Sequence, residues 1–175
     1  MAIFISGGCK NGKSFFAQRA AKAYGAPLYY VATMIPHDGE DDARILRHRA
    51  DREGWGFETI ECGRDILGCL ECADPRGAFL IDSATALLSN EMFAPDGFHP
   101  DAAEKVAGEL VEFIRRAPNT VVVSDFIYSD AAGYDEWTLC YRRGLAQIDR
   151  ALARACDCVC EAVAGQIIVY KGAIP

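Results

Sequence analysis

Residues Gly7-Gly8-Cys9-Lys10-Asn11-Gly12-Lys13-Ser14 satisfy G-x-x-x-x-G-K-[ST] with no residue out of place. No other stretch restricts the fold of this chain so strongly. The pattern is a phosphate-binding loop, which works only as a tight turn leading from a strand into a helix. The flanks supply both. Ala2-Ile3-Phe4-Ile5-Ser6 is a short apolar run suited to a buried strand, and Phe15 to Tyr24 holds no helix breaker. A solvated turn does not account for Gly7, Gly8 and Gly12 together, because each glycine adds chain entropy that folding must remove. In such a turn, successive backbone N–H groups and the positive end of the helix dipole face a phosphate. Lys13 is then the residue that reaches the β- and γ-phosphates, and the Ser14 hydroxyl the one that holds Mg²⁺. Cys9, Lys10 and Asn11 occupy positions that the pattern leaves open, and Lys10 reads equally well as a solvated charge.

The remaining sequence places this turn in an α/β fold. Pro27 to Ala32 reads as a strand, Glu40 to Arg52 as an exposed charged helix, Phe57 to Glu61 as a short strand and Asp65 to Cys72 as a short helix. Ala78-Phe79-Leu80-Ile81-Asp82 is an apolar run ending in a carboxylate, as in a parallel strand buried on both faces. Thr85 to Phe93 reads as helix and Ala94 to Pro100 as loop. Asp101 is placed to cap a long amphipathic helix running to about Arg116. Thr120 to Ser124 is another buried strand, Asp125 to Asp135 a polar connection and Glu136 to Ala155 a long helix. Val159 to Ala164 and Gln166 to Tyr170 form a hairpin about Gly165. Strands alternating with helices imply a three-layer fold like that of P-loop NTPases. Its sheet is mostly parallel, with helices on both faces and a C-terminal hairpin. Ligands of such sheets sit beyond the carboxyl ends of the strands, which gathers the loops after Ser6, Ala32, Asp82 and Ser124.

Bulk properties remove several function classes. The length of 175 residues suits one domain spanning 1–175. A net charge of −7, from 25 acidic and 18 basic residues, argues against sequence-independent nucleic-acid binding, which needs a basic face. No apolar run is long enough to span a membrane and no signal peptide is recognised, so a cytoplasmic location is expected. The eight cysteines are then expected as reduced thiols packed as small hydrophobes. Cys156, Cys158 and Cys160 are expected to share one face of a strand.

Two further groups could carry chemistry. Asp82, at a strand end, is placed to hold Mg²⁺ with Ser14, directly or through water; a helix N-cap is the alternative, and Asp125, at the end of the next buried strand, is the other candidate acid. Arg44, His48 and Arg52 fall at i, i+4 and i+8 on one helical stripe. Neighbouring guanidiniums disfavour a charged imidazole. His48 would thus be a neutral nucleophile, with arginines beside it to neutralise phosphate oxygens. A solvated helix face is the competing reading of the same spacing.

Taken together, these segments resemble one family, the bifunctional adenosylcobinamide kinase / adenosylcobinamide-phosphate guanylyltransferases of cobalamin biosynthesis. The resemblance rests on Gly-Gly-x-x-x-Gly-Lys-Ser after the first strand and on Tyr30-Val31-Ala32-Thr33, Asp38, Glu40 and Arg44-Ile45-x-x-His48-x-x-x-Arg52. It continues through Leu80-Ile81-Asp82, Leu88-Ser89-Asn90, Tyr141-Arg142, Leu152-Ala153 and Asp157-x-Val159. It implies that ATP or GTP phosphorylates adenosylcobinamide and that GMP from GTP then passes to that phosphate through a guanylylated His48. It also implies Thr33, Arg44, Arg52 and Glu61 as further nucleotide-binding residues, a corrinoid substrate and a homo-oligomer, a trimer by resemblance. The chain departs from the family in several places. Ser124-Asp125-Phe126-Ile127-Tyr128 stands where Ser-Asn-Glu-Val-Gly is usual, Asp149-Arg150 where Asn-Gln is usual, and Ser83 replaces a cysteine after Asp82. A P-loop kinase of another small molecule, a member keeping one step only, and a non-catalytic nucleotide-binding protein are the alternatives.

Overall fold

The computed structural model of the chain describes residues 1–36, 39, 45–46, 49–50 and 52–174. Seven strands form one sheet in the order β3-β2-β4-β7-β1-β8-β9. They are β1 (Ile3–Gly7), β2 (Leu28–Ala32), β3 (Phe57–Glu61), β4 (Ala78–Asp82), β7 (Thr120–Val123), β8 (Cys158–Val163) and β9 (Gln166–Lys171). All pair in parallel except β8 with β9. The register sets Ala32 beside Asp82, Asp82 beside Val123, and Ile5 beside both Val123 and Cys160. The carboxyl ends of β1, β2, β4 and β7 are therefore level, and the loops that follow them meet at one edge.

Side chains alternate across the strands, so both faces of the sheet are buried and the strands read as continuous apolar runs. On one face, Ile3, Ile5, Leu80, Val121 and Val123 pack with Ala17, Ala20 and Ala21 of helix α1 (Lys13–Ala23). On the other, Phe4, Val31, Phe79, Ile81 and Val122 pack beneath three helices. These are α3 (Ala84–Met92), α4 (Ala102–Arg116) and α5 (Glu136–Ala155), which follow the four-residue α2 (Cys69–Cys72) in the chain. In α4, Ala103, Val106, Ala107, Leu110, Phe113 and Ile114 form the buried stripe, at three- and four-residue spacing. Phe79 anchors this layer, stacked on Tyr29 at 4.9 Å and edge-on to Phe113 at 5.2 Å between ring centroids.

Three local expectations are corrected. The stretch 94–100 is not plain loop: β5 (Phe93–Ala94) and β6 (Gly97–Phe98) make a small antiparallel ladder, with Pro95-Asp96 as its turn. Asp101 precedes α4 but its side chain makes no capping bond, because its backbone (φ −88°, ψ 0°) lies outside the extended region from which a cap reaches back. Asp135, in extended conformation, does cap α5 and accepts from Thr138 N at 2.8 Å. Finally, Cys156 does not share a face with Cys158 and Cys160. It terminates α5 and packs in the helix-covered layer, whereas the other two point from β8 into the α1 layer. All eight cysteines are free thiols.

Asp65, Glu91 and Glu109 bring their carboxylates together, as a cation site would. Lys105 already serves that cluster: its ammonium lies 2.7 Å from both Asp65 and Glu91 and 3.9 Å from Glu109. Burial pushes the Glu109 carboxyl up, Lys105 pulls it down and Glu91 pushes it up again. Lys105→Met leaves the buried Glu91 without its counter-charge, and urea unfolding should show a loss of about 2 kcal/mol. Among the described residues, no helix is long and apolar enough to cross a membrane.

Candidate functional site

The loop from Gly7 to Gly12 forms because two of its glycines are required. A Cβ on Gly7 would lie 2.4 Å from the carbonyl oxygen of Ala162 on the neighbouring β8, and Gly12 opens α1 at φ 88°. With glycine as the cap residue, no side chain caps the start of α1 through a hydrogen bond. The first-turn amides of any helix lack intrahelical acceptors, and the dipole makes that end positive. The arrangement can therefore take an anion at Lys13 and Ser14.

Lys13 is buried, and its ammonium donates to Gly8 O at 2.7 Å and pairs with Asp125 Oδ1 at 2.8 Å. It is thus clamped between its own loop and the residue just past β7. The Asp125 amide donates to Thr85 Oγ1 at 2.8 Å, and the Thr85 carbonyl accepts from Tyr141 OH at 2.9 Å. Through these bonds α3 and α5 fix the end of β7.

Asp82 Oδ2 lies 3.4 Å from Ser14 Oγ and accepts from Tyr30 OH at 2.9 Å. It is not the cap of α3. Ser83 is, its hydroxyl accepting from Ala86 N at 3.2 Å. The Asp82 carboxylate is left to face the phosphate loop. Neighbouring ligands of an octahedral cation with bonds of about 2.1 Å lie about 3 Å apart. The Ser14 hydroxyl and Asp82 carboxylate oxygens therefore fit Mg²⁺ with little adjustment.

Arg52 is buried with its guanidinium 3.4 Å from the centroid of the Tyr30 ring. A line of contacts thus runs from Arg52 through Tyr30 and Asp82 to Ser14. Thr33 is fully buried; its Oγ1 accepts from Ser83 N at 2.6 Å and donates to Ser83 O at 2.8 Å, so its side chain joins the ends of β2 and β4. Asn90 ties the same loop by donating to Thr33 O and Gly63 O. Glu61 pairs with Arg49 at 2.5 Å. Arg49, Arg52, Glu61 and Asp82 line a cavity of about 370 Å³, whose apolar walls include Met34, Ile45 and Leu46. That size lies in the range of small-molecule sites. Ile45, Leu46, Arg49 and Ala50 are helical, within the expected helix over 40–52, but Arg52 lies in the turn that follows rather than on the helix; Arg44 and His48 lie outside the described residues. Cys9, Lys10 and Asn11 form the outer turn of the phosphate loop, with Lys10 in left-handed conformation at φ 59°.

A second polar cluster adjoins Asp125. Asp149 is buried, and Tyr128 OH donates to its Oδ2 at 2.9 Å. Burial pushes its carboxyl up to about 6, against the lowering influence of Ser124 and Tyr128 and with a further upward push from Asp125. Neither Ser124 Oγ nor Asp149 Oδ1 makes a well-formed hydrogen bond among the described residues. Arg142 closes the cluster, donating to Ile127 O at 2.9 Å, pairing with Asp130 at 3.2 Å and lying 4.3 Å from the Tyr134 ring centroid. Sequence reading missed Tyr30, Arg49 and Thr85. Tyr30 was legible as a strand residue and as part of the family-like segment, not as a site residue; its bond to Asp82 appears once β2 and β4 are paired.

The sequence profile of the family described as cobinamide kinase / cobinamide phosphate guanyltransferase matches residues 3–169. The chain belongs to this family. Membership makes it a transferase of cobalamin biosynthesis. It is 29% identical over 174 residues to the bifunctional adenosylcobalamin biosynthesis protein CobP of Pseudomonas aeruginosa, covering 98% of each chain. It is also 29% identical to CobU, of the same description, from Salmonella typhimurium, over 94% of this chain and 97% of the relative. Among solved structures, the RadB recombinase superposes with a TM-score of 0.52 at 17% identity, over 99% of this chain and 82% of that one. At that identity the likeness concerns the α/β fold alone.

Proposed function

We propose that this family member phosphorylates the aminopropanol hydroxyl of adenosylcobinamide with ATP or GTP, then transfers GMP from GTP to the new phosphate through a guanylylated His48. The observation that carries the reading is the adjacency of two parts. Lys13, Ser14 and Asp82 gather at the glycine-rich loop, and a cavity of about 370 Å³ beside them shares Asp82 and is walled by Arg49, Arg52 and Glu61. In this reading the residues from Gly7 to Ser14, Cys9, Lys10 and Asn11 included, wrap the phosphates, with Lys13 on the β- and γ-oxygens. Ser14 and Asp82 hold Mg²⁺, which neutralises charge on the triphosphate. Thr33, Arg44, Arg52 and Glu61 serve nucleotide binding: Arg44 and Arg52 compensate phosphate charge, and Glu61 accepts hydrogen bonds. His48 forms a phosphoramidate with the α-phosphorus, and pyrophosphate leaves. The phosphate on the corrinoid then attacks the same phosphorus, and the His48 imidazole departs.

The chain is proposed to act as a single domain in the cytoplasm, as a homo-oligomer. The edge strand β9 exposes Ile168, Val169 and Tyr170, which supports association. The test is incubation with Mg²⁺ and α-labelled GTP. The protein should take up label that survives alkali and is released by acid, and His48→Ala should take up none. Undiminished label in that variant overturns the nucleophile.

A further inference from the structure

The connection after β7 carries an aromatic ring that the fold anchors but does not bury. The Phe126 amide donates to Gly7 O at 3.0 Å, which ties its backbone to the first residue of the phosphate loop. The residues after it are fixed on the other side. Ile127 and Tyr128 pack against the helix-covered core, Ile127 O accepts from Arg142 Nε at 2.9 Å, and Tyr128 OH donates to the buried Asp149 at 2.9 Å. Phe126 does not join that core. Its ring stands edge-on to Tyr128, 4.8 Å between centroids, and the residue is 42% exposed. A single exposed apolar side chain is ordinary on a protein surface. This one is set apart by its place, one residue beyond the Asp125 that pairs with Lys13 and bonded through its main chain to the loop. Ligands of a parallel sheet lie beyond this edge. In phosphoryl transfer the acceptor oxygen stands in line beyond the γ-phosphorus, so the body of the acceptor rests on residues that rim the phosphate loop. The support of the ring also brings together two positions where the chain departs from the family pattern, Tyr128 and Asp149.

We propose that Phe126 is a specificity-determining residue for the acceptor, its ring packing against the apolar rim of the corrin macrocycle, and that Tyr128 is the positioning residue that holds it there. This rests on the kinase reading above. A corrin presents a broad, methyl-bearing face, and an anchored phenyl ring takes part of that face out of water with little side-chain freedom left to lose. Neither residue touches the reacting atoms. A contact remote from the reacting hydroxyl is the same in the ground and transition states, so its loss appears in KM and not in kcat. The bond from Tyr128 to Asp149 sets where the supporting ring lies, and Phe126 follows it.

The test follows phosphorylation of cobinamide by wild type, Phe126→Ala, Tyr128→Phe and the double variant. Cobinamide binding to the protein loaded with a non-hydrolysable ATP analogue is measured by equilibrium dialysis, and affinity for the analogue by calorimetry. Phe126→Ala should raise KM and Kd for cobinamide about tenfold, with kcat and analogue affinity held. Tyr128→Phe keeps the ring and loses the bond to Asp149; it should raise the same two constants about threefold. The double variant should be no worse than Phe126→Ala, because Tyr128 acts through the ring that is gone. Should Phe126→Ala melt early, Phe126→Gln is the second variant and should show the same loss. Cobinamide affinity within about twofold of wild type in the Phe126 variants overturns the assignment, as does an equal loss of analogue affinity, which would place the ring on the nucleotide. Additive losses in the double variant overturn the positioning role of Tyr128. A wild type that binds cobinamide by dialysis but phosphorylates none overturns the kinase reading, and the dialysis still judges Phe126; a wild type that binds no cobinamide overturns both.

Discussion

Lys13→Ala is expected to lower phosphoryl transfer to cobinamide by about a thousandfold, because on the proposed reading it removes a buried cation that meets the developing charge on the β- and γ-oxygens. The loss should be larger than the electrostatics of the lysine alone. In the variant, Asp125 stays at the phosphate site with its counter-ion gone, so repulsion is added to the missing attraction. Triphosphate affinity should fall with the rate, and diphosphate affinity should fall less. The double variant Lys13→Ala/Asp125→Asn separates the two effects: it should bind triphosphate better than Lys13→Ala, though still more weakly than wild type. Steady-state kinetics with cobinamide, titrations with nucleotide analogues and melting curves check this together. A Lys13→Ala protein that keeps wild-type kcat would remove the phosphate loop from the reaction.

Asp149→Asn is expected to stabilise the protein at neutral and alkaline pH. The Asp149 carboxyl is raised to about 6 in the folded state, chiefly by burial, while the unfolded chain leaves it near the ordinary carboxylate value. Between those values the native state holds a proton that the unfolded state does not. The contribution of Asp149 to stability is therefore full below the unfolded value and is lost as pH rises through about 6. Above that, folding buries a charge with one hydrogen bond, from Tyr128. The shift corresponds to about 3 kcal/mol, or about 6–12 °C in melting temperature for a chain of this size. Asparagine keeps the shape and can still accept from Tyr128, so the variant should gain most of this at about pH 8, with the gap closing as the solution is acidified. Melting curves across that range decide it; a variant less stable than wild type at alkaline pH would show that the charge is compensated in the fold.

The parallel sheet was legible because strands buried on both faces read as unbroken apolar runs, as in Ala78–Asp82 and Thr120–Val123. The phosphate loop was legible because its glycines answer a local need, seen in the close approach of Gly7 to Ala162. What depends on pairing between distant segments was not. Tyr30 and Asp82 lie far apart in the chain and meet only through the β2–β4 register. The face of Cys156 depended on whether α5 ended before or after it, and alternation alone does not say. Asp125 was readable as a strand-end acid beside Asp82, but its place on Lys13 follows from β7 lying between β4 and β1.

The stacking of Arg52 on Tyr30 has a bearing on timing. The tyrosine holds with its hydroxyl the same oxygen of Asp82 that meets Ser14, and the arginine over its ring lines the neighbouring cavity. If both transfers take place at this edge of the sheet, they draw on one carboxylate and cannot be independent. On the proposed reading, a guest that draws Arg52 off the Tyr30 ring would disturb the tyrosine that holds Asp82, and with it the cation's seat. The chain would then work as a single station used twice in succession, its second task beginning when the first has vacated the seat.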